Sequence, residues 1–134
     1  MSKKILIIHT SWYEEYISEM LDISKKILKD FDCTSFVAPG ALELSALAKH
    51  KISNSNFIGV LFLGIVIRGE TSHYDLITRE AFRSISDLTM EKSELALINN
   101  VICVEDIEQL KARLVKNTTN NTKALIQLIN EKSS

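Results

Sequence analysis

Phe57-Ile58-Gly59-Val60-Leu61-Phe62-Leu63, followed by Gly64-Ile65-Val66-Ile67-Arg68-Gly69-Glu70-Thr71-Ser72-His73, is the stretch whose reading decides the fold. Its first seven residues form a nearly unbroken apolar run, the pattern of a strand covered on both faces in a parallel sheet. Gly64 then marks a turn, Thr71 and Ser72 are hydroxyl residues able to cap a helix, and His73 falls in the first turn of an amphipathic helix reaching Lys92. In open α/β sheets, ligands bind outside the carboxyl ends of the strands, where helix N-termini offer unpaired N–H donors. Gly69, Glu70, Thr71 and Ser72 thus read as an anion cradle.

The flanking sequence repeats the pattern. Residues 4–9 are a short β-branched run, the first strand. Thr10-Ser11-Trp12-Tyr13-Glu14-Glu15 offers cap residues and then acids, before Ile17, Met20, Leu21, Ser24, Ile27, Leu28 and Phe31 mark a helical face. Residues 33–38 read as a second strand, stopped by Pro39-Gly40, and residues 41–50 as a short helix with Glu43 in its first turn, where the helix dipole favours a carboxylate. Tyr74, Ile77, Ala81, Ile85 and Leu88 give the next helix one apolar face. Residues 95–102 are a fourth strand breached by Asn99-Asn100, residues 106–114 a short helix carrying Arg113, residues 116–122 a polar loop, and residues 122–131 a final helix. The predicted architecture is one domain, residues 1–134: a three-layer α/β/α sandwich around a four-stranded parallel sheet of flavodoxin-like topology.

Composition narrows the function. The 134 residues carry a formal net charge of −1 with charges scattered along the chain, which disfavours nucleic acid and anionic membranes as partners. Cys33 and Cys103 lie far apart without metal-ligand spacing, the usage of a reducing compartment. The apolar run at the start is too short for a signal peptide or a membrane span, so the expected location is the cytoplasm. Neither GxGxxG after the first strand nor GxxxxGK[ST] occurs, which excludes nucleotide binding by those devices.

The candidates for chemistry are Trp12, the turn from Pro39 to Glu43, the loop from Arg68 to His73, and Asn99, all expected along one sheet edge. Trp12 is either a stacking platform for a planar ligand or a lid over the core. Histidine is the side chain best matched to proton transfer near neutral pH, and His73 is the one histidine at a loop-to-helix junction of that edge.

Pro39-Gly40-Ala41-Leu42-Glu43-Leu44 and the run from Leu63 to Asp75 strongly resemble the two signature blocks of the 6,7-dimethyl-8-ribityllumazine synthase family, and the segment from Asn99 to Gln109 is similar to a third. The resemblance covers the chain from Lys3 onward. It implies condensation of 5-amino-6-ribitylaminouracil with 3,4-dihydroxy-2-butanone 4-phosphate, with release of phosphate and water and without metal or organic cofactor. It further implies Trp12 stacking on the pyrimidine, Ala41, Leu42 and Glu43 holding the ribityl chain, and Val66 and Ile67 presenting main-chain groups to the ring. By the same resemblance Asn99 belongs to this substrate pocket. Gly69, Glu70 and Thr71 would cradle the phosphate with Arg113 from a neighbouring subunit, and His73 would transfer protons.

Family members form pentamers with sites between subunits, and some close into 60-subunit shells. The implied partner is therefore the chain itself, as pentamer, decamer or shell, with riboflavin synthase a further candidate. Ser11 and Ser45 replace a usual arginine and proline, Asn99 stands where many members have phenylalanine, and the segment from Lys116 to Thr122 lacks the usual glycines, with Asn120 or Asn121 in place of a lysine. That altered segment supports the alternative of a catalytically weak flavin- or lumazine-binding or shell-forming homologue.

Overall fold

The computed structural model describes residues 3–133. Four strands, β1 (Lys4–His9), β2 (Asp32–Val37), β3 (Phe57–Ile67) and β4 (Ala96–Val104), form one sheet in the order β2-β1-β3-β4 with every pair parallel. Four α-helices connect and cover them: α1 (Glu14–Ile27), α2 (Leu44–Ile52), α3 (Tyr74–Glu91) and α4 (Ile107–Ser133). This is the flavodoxin-like α/β/α sandwich that the alternation of apolar runs predicts.

Alternation along the central strands splits the core in two. Ile5 and Ile7 of β1 with Leu61, Leu63, Ile65 and Ile67 of β3 face α1 and α4, where Ile17, Met20, Leu110, Leu114 and Leu125 meet them. Leu6, Ile8, Val60, Phe62 and Val66 point the other way, against Leu44 and Ala48 of α2 and Ile85 and Leu88 of α3. With both faces covered, β1 and β3 have no reason to alternate apolar with polar.

The structure corrects four expectations. The central strand does not end at Leu63: Gly64, Ile65, Val66 and Ile67 continue it, paired with Val101 to Val104 of a correspondingly longer β4. Gly64 is no turn here, since a Cβ at this position would touch the side chain of Val101 at 3.4 Å, ordinary contact inside a packed layer. The short helix after Pro39 opens as a 3-10 turn, Ala41–Glu43, which places Glu43 at the N-cap of α2.

The largest difference lies at residues 116–122, which are helix and not loop. The expected pair of C-terminal helices is the single α4 of 27 residues, about 40 Å long at 1.5 Å per residue. Leu110, Leu114, Thr118, Thr122, Leu125 and Ile129 are its buried stripe, spaced by three and four. The two threonines break the apolar pattern without leaving polar groups unpaired. Thr118 Oγ1 accepts from Asn100 Nδ2 at 3.0 Å, Asn121 Nδ2 donates to Asn100 Oδ1 at 2.7 Å, and the hydroxyls of Thr122 and Ser24 are 2.9 Å apart. A hydrogen-bonded ladder thus replaces the apolar contacts that a sequence reader looks for.

Candidate active site

The carboxyl ends of β1, β2 and β3 open into a cleft of about 290 Å³ lined by Trp12 and Tyr13, by Gly40 to Glu43, by Ile65 to Ile67, by Glu70 and Thr71, and by Ile77. β3 contributes the aliphatic Ile65, Val66 and Ile67, and the segments after the strands supply the polar walls with Glu43, Glu70 and Thr71.

After β1 the chain turns sharply. Tyr13 adopts φ 60°, ψ 55°, the one non-glycine residue with positive φ among those described. A left-handed conformation costs a non-glycine residue about 1–2 kcal/mol. Its carbonyl accepts from Tyr16 and Ile17 N–H at 2.9 and 3.0 Å and thereby starts α1 without a side-chain cap, in place of the cap expected from Thr10 or Ser11. The turn leaves Trp12 66% exposed at the cleft, while Tyr13 packs against the core cluster that α1 covers. An indole so exposed is not a lid over the core. Burial, and after it the negative charge of Glu70, raises the Tyr13 pKa and keeps it a neutral phenol.

On the second wall, Gly40 is extended and its Cα lies so close to Glu43 that a Cβ would stand 3.0 Å from Oε1. The third wall begins at a 3-10 turn, Arg68–Glu70. Thr71 N–H donates to the Arg68 carbonyl at 3.4 Å, and Thr71 Oγ1 accepts from His73 N–H at 3.3 Å. His73, the N-cap of α3, is exposed and makes no side-chain capping bond.

Arg68 itself is held away from this wall. Its Nε donates to both carboxylate oxygens of Glu105 at 3.0 and 2.8 Å, Nη2 pairs with Asp75 at 3.2 Å, and the guanidinium lies 4.3 Å from the Tyr74 ring centre. Those hydrogen bonds, Glu105 first and Asp75 second, raise its pKa further.

The cleft gathers Trp12, Ala41, Leu42, Glu43, Val66, Ile67, Glu70 and Thr71 from the residues singled out in the sequence. Gly69 and His73 flank it in the same loop without lining it. Asn99 and Arg113 are elsewhere. Asn99 sits in the middle of β4, paired with Phe62, and its Oδ1 accepts from Val101 N–H at 2.8 Å, so the expectation that it joins the carboxyl edge fails. Arg113 lies on the exposed side of α4, with Nη1 donating to the Gln109 carbonyl at 3.3 Å. Of the two asparagines considered in place of a lysine, Asn121 is committed to Asn100 and Asn120 faces solvent.

Sequence reasoning passed over Tyr13, Ile65 and Ile77 as cleft residues, while Gly40 falls within the Pro39 to Glu43 turn it had singled out. Ile65 was hidden by reading Gly64 as a turn, and Ile77 by counting it solely as core. Tyr13 carried a legible signal, because it adjoins Trp12 in the loop of a strand end.

A model of the family described as 6,7-dimethyl-8-ribityllumazine synthase matches residues 2–132 of the chain. Over 116 residues the chain is 36% identical to 6,7-dimethyl-8-ribityllumazine synthase 1 of Rhizobium meliloti (strain 1021), an alignment covering 81% of this chain and 75% of that protein. It is 34% identical over 122 residues to the 6,7-dimethyl-8-ribityllumazine synthase of Agrobacterium fabrum (strain C58 / ATCC 33970), covering 85% and 82%. The protein of that name from Bartonella tribocorum (strain CIP 105476 / IBS 506) is 32% identical over 125 residues, covering 90% and 82%.

Proposed function

We propose a reaction for this cleft from one premise: the chain belongs to the 6,7-dimethyl-8-ribityllumazine synthase family and is a transferase of riboflavin biosynthesis. Its substrates are 5-amino-6-ribitylaminouracil and 3,4-dihydroxy-2-butanone 4-phosphate, and its product is 6,7-dimethyl-8-ribityllumazine. The observation carrying this reading is the division of one cleft into an aromatic end at Trp12, a carboxylate wall at Glu43, and a polar loop at Glu70 and Thr71.

In this proposal Trp12 stacks on the pyrimidine while main-chain groups of Val66 and Ile67 meet the ring's edge. Glu43 accepts hydrogen bonds from the ribityl hydroxyls beside Ala41 and Leu42. The phosphate rests on Gly69, Glu70 and Thr71, where the start of α3 favours an anion. The uracil's 5-amine adds to the ketone, and loss of water gives an imine. Phosphate then leaves, the resulting enol tautomerises, and ring closure releases a second water. His73, at the mouth of this loop, moves the protons, and the cleft holds the two reactants together.

The proposed assembly is a homopentamer of single-domain chains acting in the cytoplasm. Asn99 and Arg113 lie outside the cleft of their own chain, which suits residues that complete a neighbour's site, and Arg113 there gives the phosphate a bidentate cationic partner. Among the described residues no helix is long and apolar enough to cross a membrane. Mass measurement separates pentamer from decamer and from a 60-subunit shell.

The test is formation of the lumazine, followed by absorbance, from both purified substrates. His73→Ala is expected to slow it by about 10²–10⁴-fold with the oligomer's mass unchanged. Wild-type rates in the variant remove His73 from the chemistry. Binding of both substrates without product formation by the wild type transfers the cleft to a binding role.

A further inference from the structure

The loop from Gly69 to His73 carries the proposed phosphate cradle and proton donor, yet its own internal bonds are few: Thr71 N–H to Arg68, and His73 N–H to Thr71 Oγ1. What fixes it comes from the residue just before it. Arg68 follows β3 and reaches both neighbouring elements at once, with a two-oxygen grip on Glu105 just beyond β4, an ion pair to Asp75 in the first turn of α3, and a stacked contact on Tyr74. The grip continues into α4. Glu105 N–H donates to Gln109 Oε1 at 2.8 Å, and Gln109 N–H donates to Asp106 Oδ1 at 2.9 Å. Gly69 lies over the same joint, its Cβ position 3.7 Å from the Glu105 carbonyl.

From this geometry we infer that Arg68 is a positioning residue, a clamp that sets the distance between the β3 carboxyl end and the start of α3 and so fixes the cradle and His73 relative to the rest of the cleft. Two observations separate this from a role in folding or in direct phosphate binding. The Arg68 side chain is 47% exposed, as are its partners to a similar or greater degree, and exposed ion pairs contribute little to folding stability. Its charge is already met by two carboxylates, so it is not free to serve as the phosphate's counter-ion. Lysine could keep the charge and not the fork.

This inference rests on the reaction proposed above, so its test begins with wild-type protein that turns over. Failure there is failure of the reaction and not of the clamp. In that assay Arg68→Ala, Arg68→Lys, Glu105→Ala and the double variant Arg68→Ala/Glu105→Ala are compared for kcat, for KM toward the phosphorylated ketone, and for inhibition by inorganic phosphate. Expected is a loss in kcat/KM of about 10- to 100-fold, the scale of an ångström-sized misplacement. It should appear in Arg68→Ala and Glu105→Ala alike, and the double variant should be no worse than either single one. Arg68→Lys should recover a minor part of it. Thermal unfolding is expected to change little across the series. Weakened phosphate inhibition in Arg68→Ala, with Glu105→Ala at wild-type values, overturns the clamp and makes Arg68 a direct ligand. Lower stability with unchanged kcat and KM in the folded fraction also overturns it, leaving a purely structural ion pair.

Discussion

Gly40 and Glu43 stand so close that a methyl group on Gly40 would come within 3.0 Å of the glutamate's Oε1. The backbone at Gly40 is extended and suits any residue, so Gly40→Ala strains the carboxylate's position and not the fold. The expected result is an apparent KM for the ribityl-bearing substrate raised by about fivefold, roughly 1 kcal/mol, with the melting temperature held. An unchanged KM places the Glu43 carboxylate outside the ribityl site.

Asn100 is 1% exposed and bonded to both Thr118 and Asn121. Asn100→Ala removes one side chain and leaves the buried Thr118 hydroxyl and the half-buried Asn121 amide without their partner, at about 1–3 kcal/mol for the buried group and less for the half-buried one. The midpoint of urea unfolding should fall, while the far-UV spectrum of the folded protein is retained. A midpoint equal to that of the wild type would show that the ladder is open to water.

Continuity of α4 through residues 116–122 can be read from proteolysis. Lys116 and Lys123 bracket the segment that the sequence suggests is a loop, and both are exposed. In the helix their peptide bonds are hydrogen-bonded and should resist brief trypsin treatment of the native protein. Rapid cutting at either lysine, seen by mass spectrometry, would restore the loop.

Burial pushes the Cys103 thiol up to about 11, from an ordinary value of 9.0, and burial likewise raises Cys33. The sign is fixed by proton counting. Between about pH 9 and 11 the native state holds a thiol proton that the unfolded chain has released, so stability is full below pH 9 and declines as pH rises through this window. Cys103→Ala should flatten that alkaline decline. At about pH 8 the thiolate is scarce, and iodoacetamide should label Cys103 more slowly than a free thiol peptide. Labelling at the peptide's rate would place the sulfur in solvent.

The parallel sheet was legible because both faces of β1 and β3 are covered, and a short unbroken apolar run suits a doubly covered strand far better than a half-exposed one. The cleft was legible for a related reason: the residues of the first two signature blocks come at the ends of consecutive strands, and a parallel sheet brings those ends to one edge. Position along β4 was not. Asn99 breaches the predicted strand and was grouped with the carboxyl edge, but β4 runs on beyond it through Val104. Residues 116–122 were misread because asparagine and threonine prefer caps and turns in isolation. Here Thr118 and Thr122 meet hydrogen-bonding partners contributed by β4 and α1, information that no local window contains. The Arg68 grip was hidden similarly, since Glu105 is 37 residues away.

The bond between Ser24 and Thr122 joins positions 98 residues apart, and it implies an order of assembly as the chain leaves the ribosome. The α2/α3 face can close once β4 has emerged, because its helices precede that strand. The opposite face cannot: Leu61, Leu63 and Ile65 await Leu110, Leu114 and Leu125, which follow every strand. Until those residues are made, α1 alone covers this face and the ground that α4 will take lies bare, and this nascent intermediate is the form most in need of a chaperone's cover.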